Sequence, residues 1–252
     1  MFIDTHAHYD DEAFDEDRQE LLRDLPSKGI DRIIVPGCDV SSSQAAVALA
    51  EKYSYVYAAC GIHPENLTDD PYADISEIVK LLEHPKCIAI GEIGLDYYWN
   101  KSRKEEQKAV FGAQLDLALK AELPVIIHDR EAHADSFDVI SARPGLKGVF
   151  HCYSGSAEMA AKLLKMGWYL GFDGLVTYKN AKKTVEVLEI CPLERILIET
   201  DSPYLSPLPM RGKRNDSSNL IYIAEKIAAI KGVTIEEIAQ RTAENASALF
   251  GI

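Results

Sequence analysis

Four imidazoles and two carboxylates carry the metal chemistry that this chain is equipped to perform: His6, His8, His128, His151, Glu92 and Asp201. Each follows or closes a short apolar run, where an unpaired polar group is costly to bury. In Asp4-Thr5-His6-Ala7-His8 the two imidazoles stand at i and i+2, so an extended strand points both to one side and lets them reach one ion. Alone, that pair fits two hydrogen-bonded strand histidines. The same placement recurs in Gly91-Glu92-Ile93-Gly94, Ile126-Ile127-His128, Val149-Phe150-His151-Cys152 and Leu197-Ile198-Glu199-Thr200-Asp201, which makes a purely structural role for the whole set a poor reading.

Six such ligands suffice for two divalent ions if one carboxylate bridges, and Glu92, in the middle of the set, is the natural bridge. Paired ions about 3.5–4 Å apart clamp the attacking and leaving oxygens of a displacement and bring the pKa of water toward neutrality. Asp201 is the candidate base for the proton released. Two ligand charges against four from the ions leave the site locally positive and suited to an anionic substrate such as a phosphodiester.

Ligands scattered from residue 6 to residue 201 converge only if a parallel sheet gathers their strands at its carboxyl edge. Eight runs read as strands: Phe2–Ala7, Arg32–Pro36, Tyr55–Gly61, Cys87–Gly91, Pro124–His128, Lys147–His151, Trp168–Gly171 and Arg195–Ile198. They are mostly continuously apolar, as strands buried on both faces are, and segments of helical periodicity such as Lys104–Glu122 separate them. The pattern predicts an α/β fold, a TIM (β/α)8 barrel with the metal site at the C-terminal face of the strands. At 252 residues the chain has the length of one such barrel, so a single domain over residues 1–252 is expected. Ser102, three residues before Glu105, reads as a helix cap, Gly29 as a helix stop, and Ser202–Asn219 as the longest loop.

A composition of 47% hydrophobic and 27% charged residues describes a globular chain with a sizeable core. The segment Met1-Phe2-Ile3-Asp4-Thr5-His6 has neither a basic n-region nor an apolar h-region, and no stretch of about 18 apolar residues follows, so no membrane targeting is expected. Five cysteines without a C-x-x-C pair indicate neither a disulfide framework nor a zinc ribbon, and suit a reducing cytoplasm. The net charge of −13 opposes non-specific nucleic-acid binding, so a polyanion must be met by a local positive site.

Around the six ligands, His63 closes the third strand and can bond a substrate phosphate or leaving group; Arg130, Arg211, Lys213 and Arg214 offer phosphate contacts. Tyr153, Tyr97, Tyr98 and Trp99 are candidates for base stacking or for rim packing. His84 and His133 read as surface residues away from the strand ends.

The segments Asp4-Thr5-His6-Ala7-His8, Gly61-Ile62-His63-Pro64, Gly91-Glu92-Ile93-Gly94-Leu95-Asp96-Tyr97, Pro124-Val125-Ile126-Ile127-His128, His151-Cys152-Tyr153-Ser154-Gly155, Glu199-Thr200-Asp201-Ser202-Pro203-Tyr204-Leu205 and Arg211-Gly212-Lys213-Arg214-Asn215 resemble, in order, those of the TatD family of metal-dependent hydrolases. Thr242-Ala243-Glu244-Asn245 is also similar. The resemblance implies a TIM barrel of the amidohydrolase-like type and a deoxyribonuclease, commonly a 3′–5′ exonuclease on DNA, single-stranded or at 3′ ends. It implies that His6, His8, Glu92 and Asp201 bind one ion and Glu92, His128 and His151 the other, with Zn2+, Mg2+ or Mn2+ all compatible. Asp216-Ser217 stands where many members have Glu-Pro, and Glu65-Asn66 where a second His is frequent; both bear on loops rather than ligands. The alternative is an amide or ester hydrolase of a small molecule, whose barrels often carry a modified Lys where this chain has Glu92; a non-catalytic metal-binding scaffold is the third reading.

Overall fold

A computed structural model describes all residues, Met1–Ile252. Strands and helices alternate: β1 (Phe2–Asp4), α1 (Arg18–Asp24), β2 (Ile30–Pro36), α2 (Val40–Lys52), β3 (Val56–Cys60), α3 (Pro71–Leu81), β4 (Cys87–Asp96), α4 (Lys104–Ala121), β5 (Val125–Arg130), α5 (His133–Ser141), β6 (Gly148–Phe150), α6 (Ala157–Lys165), β7 (Tyr169–Phe172), α7 (Lys182–Ile190), β8 (Ile196–Ile198), α8 (Leu220–Lys231) and α9 (Ile235–Phe250). The strands belong to one eight-stranded sheet in chain order. A helix between successive parallel strands is the connection that parallel pairing demands.

Two compact units emerge, Pro36–His151 and Met1–Val35 with Cys152–Ile252. In the first, β3, β4, β5 and β6 pair in parallel, and Ala58, Ala59, Ile90, Ile93, Val125, Ile127 and Val149 are wholly buried, with Phe150 nearly so. Between Ile90↔Val125 and Ile93↔Ile127, β4 carries one residue more than β5, a bulge at Gly91-Glu92. Bulges re-aim side chains, and here the amide of Glu92 leaves the ladder to bond the Gly37 carbonyl at 2.8 Å. Gly91 permits it, because a Cβ there would lie 2.7 Å from Cβ of Ile126.

In the second unit β1 pairs with β2 and β7 with β8, burying Ile3, Ile33, Ile34, Leu170, Phe172 and Leu197. Helices α8 and α9 both follow β8, and Asn245 of α9 donates to the carbonyls of Leu193 (2.7 Å) and Ile196 (2.8 Å), holding the start of that strand.

Local chemistry sets the helix ends. Asp39 accepts from the Ser42 amide at 2.7 Å in a capping box that opens α2, and Asp70 accepts from Ala73 at 3.1 Å ahead of Pro71 at the first turn of α3. Gly29 is left-handed, as expected of a stop, but it closes a 3-10 turn, Leu25–Lys28, rather than α1 itself. The expected Ser102 cap does not form. Ser102 lies inside a 3-10 turn, Lys101–Arg103, and its hydroxyl bonds Asn100 instead, while α4 ends one residue earlier than expected with Glu122 left-handed. The Ser202–Asn219 segment contains a short 3-10 turn, Ser217–Asn219.

Candidate metal centre

The strand ends differ from the expected ones in a way that matters for the ligands. β4 runs to Asp96 and β5 to Arg130, so Glu92 and His128 lie inside strands rather than after them; His151 directly follows β6. Glu92 reaches the site through the bulge.

Within Pro36–His151 the donors converge on one oxygen. Glu92 Oε1 stands 2.7 Å from His151 Nε2, 2.9 Å from His128 Nδ1 and 3.6 Å from His63 Nε2. The potential ligand atoms of His63, Glu92 and His128 all lie within 4.8 Å of one another, and the His63 and His128 rings meet edge to face at 4.3 Å. Glu92, His63 and His151 are buried.

Asp96 completes this cluster. Its Oδ2 lies 3.0 Å from His128 Nε2, and its Oδ1 accepts the amides of Tyr98 and Trp99, each at 2.8 Å. Burial pushes the Asp96 carboxyl up, but the His128 hydrogen bond and those two amides outweigh it and hold the group below the usual range. Burial alone would lower the His128 imidazolium, yet hydrogen bonds to Asp96 and Glu92 raise its pKa to about 9. His63, buried beside His128, is pushed down to about 3 and is neutral. Reasoning from the sequence passed over Asp96, although a carboxylate directly after Gly-Leu in a buried strand was a usable signal.

In the other unit, His6 and His8 approach Nε2 to Nε2 at 3.1 Å, and Asp201 Oδ1 lies 3.6 and 3.5 Å from them. Backbone bonds fix the trio: Asp201 donates its amide to the His6 carbonyl (2.9 Å), and His8 donates to Ser202 (2.7 Å). Asp201 has a left-handed backbone conformation, with φ of 55°. Beneath them Asp4, fully buried, accepts from Thr200 N (3.0 Å), Thr200 Oγ1 (2.6 Å) and Ser217 Oγ (2.6 Å). Burial lifts its carboxyl to about 7 despite those bonds. Glu199, also buried, accepts the Cys152 amide at 2.5 Å and the Thr5 hydroxyl at 3.3 Å. Asp4 and Glu199 were missed because each stands two residues from a chosen ligand and reads as an ordinary strand residue.

The secondary candidates part company. Tyr153 is buried and its hydroxyl donates to the Ser156 carbonyl at 3.0 Å, so its ring is packed rather than presented. Arg214 is committed to Asp17 at 2.6 Å, which removes it from the basic cluster, while Arg211 lies over the Tyr178 ring at 4.8 Å and is exposed. Arg130 is exposed, its guanidinium 4.3 Å from the Tyr98 ring centre. His84 and His133, expected at the surface, are half-buried beside Glu51 (3.5 Å) and Asp129 (2.8 Å), and His133 opens α5 three residues past the carboxyl end of β5.

The donor sets fit divalent metal. Imidazole nitrogens and carboxylate oxygens are common ligands of divalent ions, and Glu92 Oε1 gathers the nitrogens of His128 and His151 within 3 Å.

A model of the family described as TatD related DNase matches residues 3–251. The uncharacterized metal-dependent hydrolase YabD of Bacillus subtilis (strain 168) is 45% identical over 254 residues, spanning 100% of both chains. The 3'-5' ssDNA/RNA exonuclease TatD of Erwinia amylovora is 33% identical over 247 residues, 95% of each chain. The crystal structure of YjjV, a TatD homolog from Escherichia coli K12, matches with a TM-score of 0.92 at 32% identity, covering 100% of this chain and 98% of that one. That full-length match, with the in-order parallel strands, makes the fold a TIM (β/α)8 barrel. The chain belongs to the TatD family of metal-dependent hydrolases.

Proposed function

We propose that this hydrolase is a deoxyribonuclease that removes nucleotides from the 3′ end of DNA, acting as one domain over residues 1–252 with a two-ion centre. In this reading His6, His8, Glu92 and Asp201 hold one ion and Glu92, His128 and His151 the other. The observation that carries it is the convergence of two imidazoles within 3 Å of Glu92 Oε1, the oxygen best placed for sharing. Glu92 at this position, rather than a lysine, weighs against the small-molecule amidohydrolase alternative. The Erwinia amylovora relative's name supports a nucleic-acid substrate.

When bound, the ions acidify a water and neutralise charge gathering on the phosphoryl oxygens. Asp201, whose Oδ1 lies 3.6 and 3.5 Å from the Nε2 atoms of His6 and His8, would serve as the base that accepts a proton there. Asp96 holds His128 in one orientation through Nε2, leaving Nδ1 for the Glu92 side. Neutral His63 donates a hydrogen bond to the phosphate or leaving oxygen without adding charge. Arg130 and Arg211, both exposed, supply cations for phosphate contact on a protein of net charge −13.

No helix is long and apolar enough to cross a membrane, and the five cysteines are free thiols, which suits work in the cytoplasm. The test is a screen of DNA, RNA, simple phosphodiesters and amides with added Zn2+, Mg2+ or Mn2+, with His128→Ala as control. Metal-dependent 3′ nucleotide release is expected; hydrolysis of amides alone would overturn the reading.

A further inference from the structure

Directly beyond the Asp96 carboxylate the chain presents two exposed aromatic rings. Tyr98 is 48% and Trp99 64% exposed, and they stand edge to face with centroids 4.7 Å apart. Most large apolar side chains in this chain are buried, so a neighbouring pair left in solvent is unusual. The guanidinium of Arg130 lies 4.3 Å from the Tyr98 ring centre and 5.6 Å from that of Trp99.

The pair is rigidly mounted. Asp96 accepts both their amides, the Tyr97 amide donates to the Arg130 carbonyl at 2.9 Å, and Asp96 pairs with Arg130 in the β4–β5 register. The same Asp96 holds His128 through its other oxygen. One carboxylate thus ties the backbone that carries the aromatic pair to the His128 imidazole.

We propose that Tyr98, Trp99 and Arg130 form a stacking platform for an unpaired base of single-stranded nucleic acid, with the Arg130 guanidinium meeting an adjacent phosphate. The proposal rests on the nucleic-acid reading of the site given above. An indole face accepts any base, and a cation held against aromatic rings offers the backbone a fixed positive charge on a protein of net charge −13. Bases inside a duplex are stacked on both faces and held by pairing, whereas an unpaired base is free to turn onto the indole, so the platform favours frayed or single-stranded 3′ ends.

The test uses the full chain with added Mn2+ and a phosphorothioate oligothymidylate, which resists cleavage, beside an abasic strand with the same number of phosphates. Trp168 is buried, so quenching of indole fluorescence reports Trp99. Base-dependent quenching is expected, with Trp99→Ala weakening the thymidylate about ten-fold by anisotropy while leaving the abasic strand unchanged, and Trp99→Phe restoring most of the affinity. Arg130→Gln should weaken both strands and lower the salt slope by about one. Equal loss for both strands in Trp99→Ala, or no quenching, overturns the platform. Base-dependent quenching without nucleotide release from normal DNA would leave the platform standing and overturn the nuclease reading; release without base-dependent quenching does the reverse.

Discussion

Asp96 Oδ2 and His128 Nε2 lie 3.0 Å apart, and the opposite nitrogen of the same ring lies 2.9 Å from Glu92 Oε1. His128 is therefore held between two carboxylates, one of which also caps the turn at Tyr98 and Trp99. Partners that orient a metal-binding imidazole are worth about 10–100-fold in affinity or activity. Asp96→Asn should lower metal affinity by about that factor, with little change in circular dichroism. Calorimetric titration with Mn2+ checks this, and wild-type affinity in the variant would remove Asp96 from the centre.

Asp201→Asn retains the shape of the side chain but not its capacity to take a proton. Turnover should fall by about 10²–10⁴-fold while KM for DNA changes little. Steady-state kinetics on a labelled 3′ end decide the matter: a KM effect with intact kcat would make Asp201 a binding group only.

Gly94 has φ of +149°, and a Cβ there would come 1.9 Å from the His128 carbonyl oxygen. Gly94→Ala must displace the β5 backbone where it carries His128, so we expect a loss of at least about 1 kcal/mol of stability together with weaker metal binding. An unchanged melting temperature and metal titration would contradict that coupling.

Asp39 gives a pH dependence remote from the ligands. Burial pushes its carboxyl up, but bonds from the Ser42 hydroxyl and amide and from Asn66 outweigh burial and depress it. Its stabilising contribution is thus complete above the ordinary carboxylate pKa of the unfolded chain and disappears as pH falls through the lower folded value. Asp39→Ala should cost about 1 kcal/mol at neutral pH, a difference that shrinks in acid as the carboxylate charge is lost, whereas Asp39→Asn retains most of the cap at every pH. Urea melts across this pH range check it; a pH-independent difference would exclude the charge as its source.

Chelation supplies a last check. Prolonged treatment with a chelator should abolish hydrolysis and lower the melting temperature, since ions that bind only the folded chain stabilise it by mass action. Readdition should restore both, and activity persisting in excess chelator would end the metal-centred reading.

By itself the sequence determined the donor types, their placement after apolar runs and the strand–helix alternation of the fold, because burial and periodicity are local properties. The eight strand candidates all correspond to strands, but β4 is longer than the apolar run suggested, since Glu92 and Asp96 are buried polar residues that a hydropathy pattern reads as strand ends. Only the tertiary structure placed Asp96 against His128, because that contact depends on the one-residue bulge that sets the β4–β5 register. It alone separated Arg214, tied to Asp17, from exposed Arg211, and buried Tyr153 from exposed Trp99. Residue type says what chemistry a side chain can do; which partners neutralise or cover it is fixed by contacts between segments far apart in the chain.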